Sequence, residues 1–299
     1  MKPIVIIHTN DKQHLGALVS AHSFRRNAVE PAAFDVRIVD ARDYPELQAR
    51  GRSFVRGGHR RLWDPDDLQS FTPLRFAVPD LMGHDGLALV VDPDVFAVAD
   101  AAELFRRDLQ GKAIWCVARP NYNGNPDYLA TSVMLLDCAR LPHWRFADDL
   151  ARLWAGELDY LDWIELRRED RSTIGLLEPE WNDFDRLTPA TKLIHNTKRR
   201  TQPWKTGLPV DYTLREGGLN QFLRPLKRLL TPRYTRHPDP NQEAYFYSLL
   251  AEALDCGSVA PADVERAVAL KHVRSDSPAL VERYRGRLWP AEPAAAKAS

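Results

Sequence analysis

Gly86-Leu87-Ala88-Leu89-Val90-Val91 runs without a polar side chain straight into Asp92-Pro93-Asp94. A short, continuous apolar run closed by turn residues reads as a strand buried on both faces, the kind found in α/β sheets. Ligands of such sheets bind outside the carboxyl ends of the strands. Asp92 and Asp94 therefore stand where chemistry is expected. Paired carboxylates suit a hard divalent cation that keeps positions open for phosphate oxygens, and Pro93 stiffens the turn between them. Spacing alone fits two turn-forming aspartates equally well. Asp-x-Asp recurs at Asp64 with Asp66 and at Asp183 with Asp185. The first of these lies in a polar turn and reads as helix-capping or solvated. Only Asp92 and Asp94 follow a wholly apolar strand.

Upstream, the β-branched run Ile4 to Ile7 predicts a first strand that stops at His8-Thr9-Asn10-Asp11. Leu15, Leu18, Val19 and His22 then repeat at helical spacing up to Arg25-Arg26, where cations complement the helix dipole. Phe34 to Val39 predicts the second strand. Strand, helix and strand in this order form the mononucleotide-binding unit of an α/β sheet. Glu46 to Asp67 is polar, with three glycines and five arginines between Arg50 and Arg61, and is expected to be a long surface loop, either a lid or a solvated insertion. Ser70 to Leu81 is expected to be helical, with Arg75 beside its core-facing Leu74, Phe76 and Val78.

Downstream, the pattern predicts a helix at Ala101–Asp108, strands at Ala113–Ala118 and Thr131–Leu136, a helix at Leu141–Leu153, and a short strand at Lys192–His195. The expected fold is α/β, a mostly parallel sheet with helices on both faces over residues 1–207. A helical C-terminal extension is expected over 208–299, with helices at Gln242–Leu254 and from Pro261 to Leu270. Pro209, Pro225, Pro232, Pro238 and Pro240 mark a looser stretch before it, and the Ala/Pro-rich tail from Pro290 is expected to be disordered.

The 299 residues are 44% apolar, enough for a sizeable core, and 41 basic residues balance 41 acidic ones. No whole-molecule field draws nucleic acid or an anionic membrane. The three cysteines have no metal-binding or redox spacing, and Cys116 and Cys138 lie in apolar runs as core residues. There is no signal-peptide core and no run approaching the roughly 18 apolar residues of a membrane span, so the expected location is the cytoplasm. No glycine-rich phosphate loop of the dinucleotide or P-loop type is present.

His195 ends the last predicted strand and opens Asn196-Thr197-Lys198-Arg199-Arg200-Thr201-Gln202-Pro203-Trp204-Lys205. A histidine after an apolar strand is either a structural residue or a ligand. The cations and amide donors that follow suit a diphosphate, or a solvated basic loop.

Phe71-Thr72-Pro73-Leu74-Arg75-Phe76, Leu87 through Phe96, Glu103-Leu104-Phe105 and His195 through Pro203-Trp204 occur in an order that resembles glycosyltransferase family eight, the glycogenin-like retaining enzymes. With the first strand, the similarity spans roughly residues 4 to 205. The resemblance implies a GT-A fold in which Asp92, Asp94 and His195 share a manganese (or magnesium) ion bridging the donor diphosphate. It also implies that Thr9, Asn10 and Asp11 face the nucleotide base, that Arg75 reaches the donor, and that Trp204 of the C-terminal signature is among the donor-binding residues. Gln202 replaces the family's lysine before Pro-Trp, so Lys198 or Lys205 is expected to supply the phosphate's cation. The His-to-Pro spacing is one residue longer than in the family, and Ala130-Thr131-Ser132 replaces its Asn-Ala-Gly turn. Asp162-Trp163-Ile164 stands near its Asp-Gln-Asp, leaving Asp162 as the expected sugar-contacting carboxylate.

The function so implied is metal-dependent transfer of a sugar from a nucleoside-diphosphate donor, UDP in the first place, to a sugar, lipid or protein acceptor. A sugar-1-phosphate nucleotidyltransferase and a non-catalytic nucleotide-sugar-binding protein are the alternatives. The first would normally carry a glycine- and lysine-rich loop after its first strand, where this chain has His8-Thr9-Asn10-Asp11-Lys12.

Overall fold

The structure, a computed structural model, describes residues 1–122, 124–212 and 232–287. Pro225 and the tail from Pro290 lie outside the described residues.

The chain opens with β1 (Ile4–Thr9), a 3-10 turn (Asp11–Gln13) and α1 (His14–Arg26), then β2 (Asp35–Asp40) and the short α2 (Pro45–Gln48). The stretch from Glu46 to Asp67 is not the surface loop expected. It folds as a hairpin of β3 (Ser53–Arg56) and β4 (His59–Leu62) across Gly57-Gly58. Phe54 and Trp63 from it are buried edge-to-face against each other, with Trp154 and Tyr160 around them. Arginine-rich composition masked the signal, a Gly-Gly pair between two four-residue runs.

The 3-10 helix Thr72–Ala77 continues into α3 (Val78–Leu81), so the expected helix over this region forms as two short pieces. There follow β5 (Leu87–Val91), β6 (Val95–Ala97), α4 (Ala102–Phe105), β7 (Ile114–Ala118) and β8 (Leu129–Asp137). Next come α5 (Phe146–Ala155), α6 (Tyr160–Ile164), β9 (Ile174–Leu176), β10 (Asp183–Phe184) and β11 (Leu193–His195). The helix expected from Leu141 begins only at Phe146, because Pro142 falls in the turn that precedes it.

The central sheet has the order β2-β1-β5-β8-β7-β9. Three of its five pairings are parallel, and β8 runs opposite to both of its neighbours. The apolar strands explain why both faces are covered. Ile6, Ala88, Val90, Met134 and Leu136 bury one face under α3, α5, α6 and the hairpin, whereas Val5, Ile7, Leu89, Val91, Val133 and Leu135 bury the other under α1 and α4. This alternation by two is the strand period, and each fully buried aliphatic side chain contributes about 1.5–3 kcal/mol. The fold is α/β, as the sequence implies.

A smaller sheet, β10-β11-β6, carries the turn after β5 to the segment after β11: β11 pairs antiparallel with β6, His195 opposite Val95. Helix α1 holds β6 in place. Ser20 Oγ donates to the Val95 carbonyl (2.6 Å), and the Ala97 amide donates to Ser23 Oγ (2.8 Å). Gly16 permits the contact, since a Cβ there would lie 2.9 Å from the carbonyl oxygen of Pro93.

Beyond Gly207 the described elements are α7 (Pro240–Asp255), α8 (Pro261–Ala269) and α9 (Ser277–Tyr284). Asp239 caps α7 by accepting from the Asn241 amide, with Pro240 at the first position. These helices share a core with Leu15 and Val19 of α1, Phe96, Ile194 and Trp204, so they brace the strands behind the carboxylate turn. Among the described residues no helix is long and apolar enough to cross a membrane.

Candidate metal and nucleotide site

Asp92, Asp94 and His195 converge, each offering a ligand atom within 4.8 Å of the others. Strand pairing does this: the turn after β5 brings the two aspartates forward, and the register of β6 with β11 sets His195 beside them. All three are buried.

The three differ in how their polar atoms are engaged. Asp92 takes a two-pronged bond from Arg75, Nε to Oδ1 at 3.0 Å and NH2 to Oδ2 at 2.5 Å, and its Oδ1 also faces Nε2 of His8 at 2.7 Å. Burial by itself would raise the Asp92 carboxyl, but Arg75 and His8 outweigh it and hold the group below the ordinary carboxylate range. Burial pulls His8 down despite Asp92, and Nε2 is the ring atom that meets Asp92 Oδ1. Arg75 also donates to Thr131 Oγ1 at 2.7 Å.

Asp94 is half engaged. Its Oδ2 accepts from Gln202 Nε2 at 2.8 Å, while Oδ1 is buried with no hydrogen-bond partner among the described residues and lies 3.4 Å from His195 Nε2. On its far side, His195 Nδ1 meets Asn182 Oδ1 at 2.9 Å, and Asn182 Nδ2 donates to Ser132 Oγ at 3.0 Å. With its amide nitrogen so used, Asn182 presents oxygen to the imidazole. Nδ1 then carries a proton, which directs Nε2 toward Asp94. Burial would lower His195, but Asp94 first and then Asp92 and Asp185 lift it above its ordinary value. A divalent cation among these groups would replace the proton in balancing the carboxylates. An unpartnered buried carboxylate oxygen, an oriented imidazole nitrogen and a second carboxylate fit such a cation.

The group lies in a cleft whose lining includes Arg56, Arg75, Arg119, Tyr128, Glu165, Arg199 and Gln202. Other residues singled out from the sequence stand elsewhere. Thr9 is buried and donates to the Asn10 carbonyl. Asn10 Oδ1 accepts from the Gln13 amide, and its Nδ2 donates to Ser70 Oγ. Asp11 pairs with Arg42 and with Arg266 of α8. Lys198 is exposed, and its amide donates to Asp185. Trp204 stacks on Phe246, ring centroids 4.5 Å apart. Lys205 is fully buried and donates to Asp211 at 2.8 Å. Asp162 is 46% exposed and pairs with Arg167, whereas Glu165, one helical turn on, lines the cleft with its side chain 9% exposed.

His8, Thr131, Asn182, Arg119 and Glu165 were not singled out from the sequence as site residues. His8 had a signal, a polar residue ending an apolar strand beside the carboxylate strand. Asn182 had none, since its role depends on a fold that sets residue 182 next to residue 195.

No family model matches the sequence, and no curated protein matches it. Solved structures resembling the fold include the galactosyltransferase LgtC in complex with donor and acceptor sugar analogues, 12% identical, covering 67% of this chain and 89% of that one, TM-score 0.47. The glycosyltransferase GlyE of Streptococcus pneumoniae is 15% identical, covering 80% of this chain and 66% of that one, TM-score 0.48. The bifunctional glycosyltransferase WbbM is 16% identical, TM-score 0.45; the match covers 68% of this chain and about half, 46%, of WbbM. Likeness at this level assigns neither a family nor an activity.

Proposed function

We propose that this protein is a glycosyltransferase that takes its sugar from a nucleoside-diphosphate donor held at Asp92, Asp94 and His195. One observation carries the reading: Asp94 Oδ1 is buried with no hydrogen-bond partner among the described residues and faces His195 Nε2 at 3.4 Å. A buried carboxylate and imidazole set against each other in this way are balanced by a shared proton or by a bound cation.

Asp94 and His195 would hold the metal most directly, with Asp92, whose oxygens meet Arg75 and His8, as the third member of the group. Manganese or magnesium there would act as a Lewis acid on the leaving diphosphate. The chain's own contribution is placement and charge. Asn182 fixes the histidine tautomer, and Gln202 orients Asp94. Arg119 and Arg199 border the same cleft as cations for the phosphate oxygens. Thr9, Asn10 and Asp11 stay assigned to the base end by family resemblance, as does a retaining outcome, with UDP the first donor to test. On the sugar side Glu165 is the better placed carboxylate, because it lines the cleft and Asp162 does not.

Thermal denaturation with a panel of UDP-, GDP- and ADP-sugars, each with and without manganese, tests the reading. At a hundredfold excess over Kd a ligand stabilises by about 2.7 kcal/mol. The expected result is stabilisation by one nucleotide class that disappears on chelation. Stabilisation by none of them would remove the donor from this account.

A further inference from the structure

The β3–β4 hairpin carries Arg50, Arg52, Arg56, Arg60 and Arg61 in a chain of zero net charge. Arg50 is paired with Asp64 and Asp66. The other four have no carboxylate partner among the described residues, and Arg60 and Arg61 are exposed on β4.

This hairpin is anchored. The Gly57 and Gly58 amides donate to the two carboxylate oxygens of Asp159, at 2.9 and 2.8 Å, and the same carboxylate caps α6 through the Leu161 amide. Both glycines have the positive φ that the turn requires. So fixed, Arg56 lies over the ring of Tyr160, 4.7 Å from its centroid, and lines the cleft. A guanidinium stacked by its face keeps its edge N–H fork free for a planar or tetrahedral anion.

The cleft's arginines thus divide by position, with Arg199 on the segment after His195. Arg75 is tied to Asp92. Arg119 rests on Phe184, whose ring packs against His195, and so belongs to the metal end. Arg56 stands on the wall made by the hairpin and α6. Four arginines on this segment with no carboxylate partner among the described residues favour a ligand that brings negative charge. Building on the donor reading above, we propose that this wall receives the acceptor and that the acceptor is an anionic saccharide. Its carboxylate or phosphate binds the fork of Arg56, with Arg60 and Arg61 as a steering rim.

The test is calorimetric titration at low salt with three sugars: neutral lactose, a disaccharide ending in glucuronic acid, and glucose 6-phosphate. UDP, GDP and ADP, each with manganese, are titrated separately. At least one anionic sugar is expected to bind tenfold or more tightly than lactose, and which one does so separates a carboxylate from a phosphate. Arg56→Gln should erase that preference while leaving UDP affinity and melting temperature unchanged. The Arg60→Gln/Arg61→Gln double variant should flatten its salt dependence. Equal binding of neutral and anionic sugars, or a preference that survives Arg56→Gln, overturns the proposal while UDP binding leaves the donor reading standing. An equal loss of UDP affinity in Arg56→Gln also overturns it, because Arg56 would then serve the donor's phosphates. Failure of the parent to bind any of UDP, GDP and ADP with manganese retires the donor reading and the acceptor role with it.

Discussion

Gln202 Nε2 donates to Asp94 Oδ2 at 2.8 Å, while the other oxygen of that carboxylate has no hydrogen-bond partner among the described residues. One lobe of the aspartate is thereby held by the protein and the other is left for a cation. Partners of this kind fix ligand direction, and their removal typically costs 10- to 100-fold in metal affinity. Gln202→Ala is therefore expected to weaken manganese binding about tenfold with little change in melting temperature, as followed by manganese titration. Unchanged affinity would mean that Asp94 is oriented without it.

Arg75 is buried with both prongs on Asp92. Removing it strands a buried carboxylate, and breaking such a pair costs about 3–5 kcal/mol. Arg75→Met should accordingly lower stability to urea by about that amount, beyond any effect on donor binding. A variant as stable as the parent would show that water reaches Asp92.

The two lysines expected from the sequence to face phosphate are predicted to behave differently. Lys205 is fully buried against Asp211, so Lys205→Ala should cost about 3 kcal/mol of stability, reduced somewhat because Asp211 keeps 20% exposure. Lys198 is exposed, and Lys198→Ala should fold like the parent. Equal melting temperatures for the two variants would contradict this assignment.

Asp40 supplies a pH signature away from the cleft. Burial would raise its carboxyl, yet His14 and Arg42 outweigh that and hold it below the ordinary range. A depressed carboxylate stabilises the fold fully above its unfolded value, about 3.9, and that contribution is lost as pH falls through the folded value. Asp40→Asn should be less stable than the parent at neutral pH, with the gap closing below about pH 4 in acid melts. A gap independent of pH would exclude ionisation as its cause.

The carboxylate turn was legible because Leu87 to Val91 is apolar at every position, and only a strand covered on both faces requires that. The direction of β8 was not, since an apolar run reads the same in either sense. Asp183 and Asp185 share the spacing of Asp92 and Asp94 but are held within the protein, by Thr191 and Arg186 and by the Lys198 amide. Arg75 was seen as a helix residue near the core, yet nothing local to residue 75 tells that Asp92 will accept both its prongs. Asn182 and Glu165 lie further still from any local rule, because each acts through a partner set by tertiary packing.

Calorimetric titration of UDP in the presence of manganese into the parent, Asp94→Ala and His195→Ala bears most directly on the proposed site. The account predicts binding by the parent that is abolished by chelation and lost in both variants, each shown by its melt to be folded at the temperature of the titration. Tight, chelator-insensitive binding by either variant would contradict it.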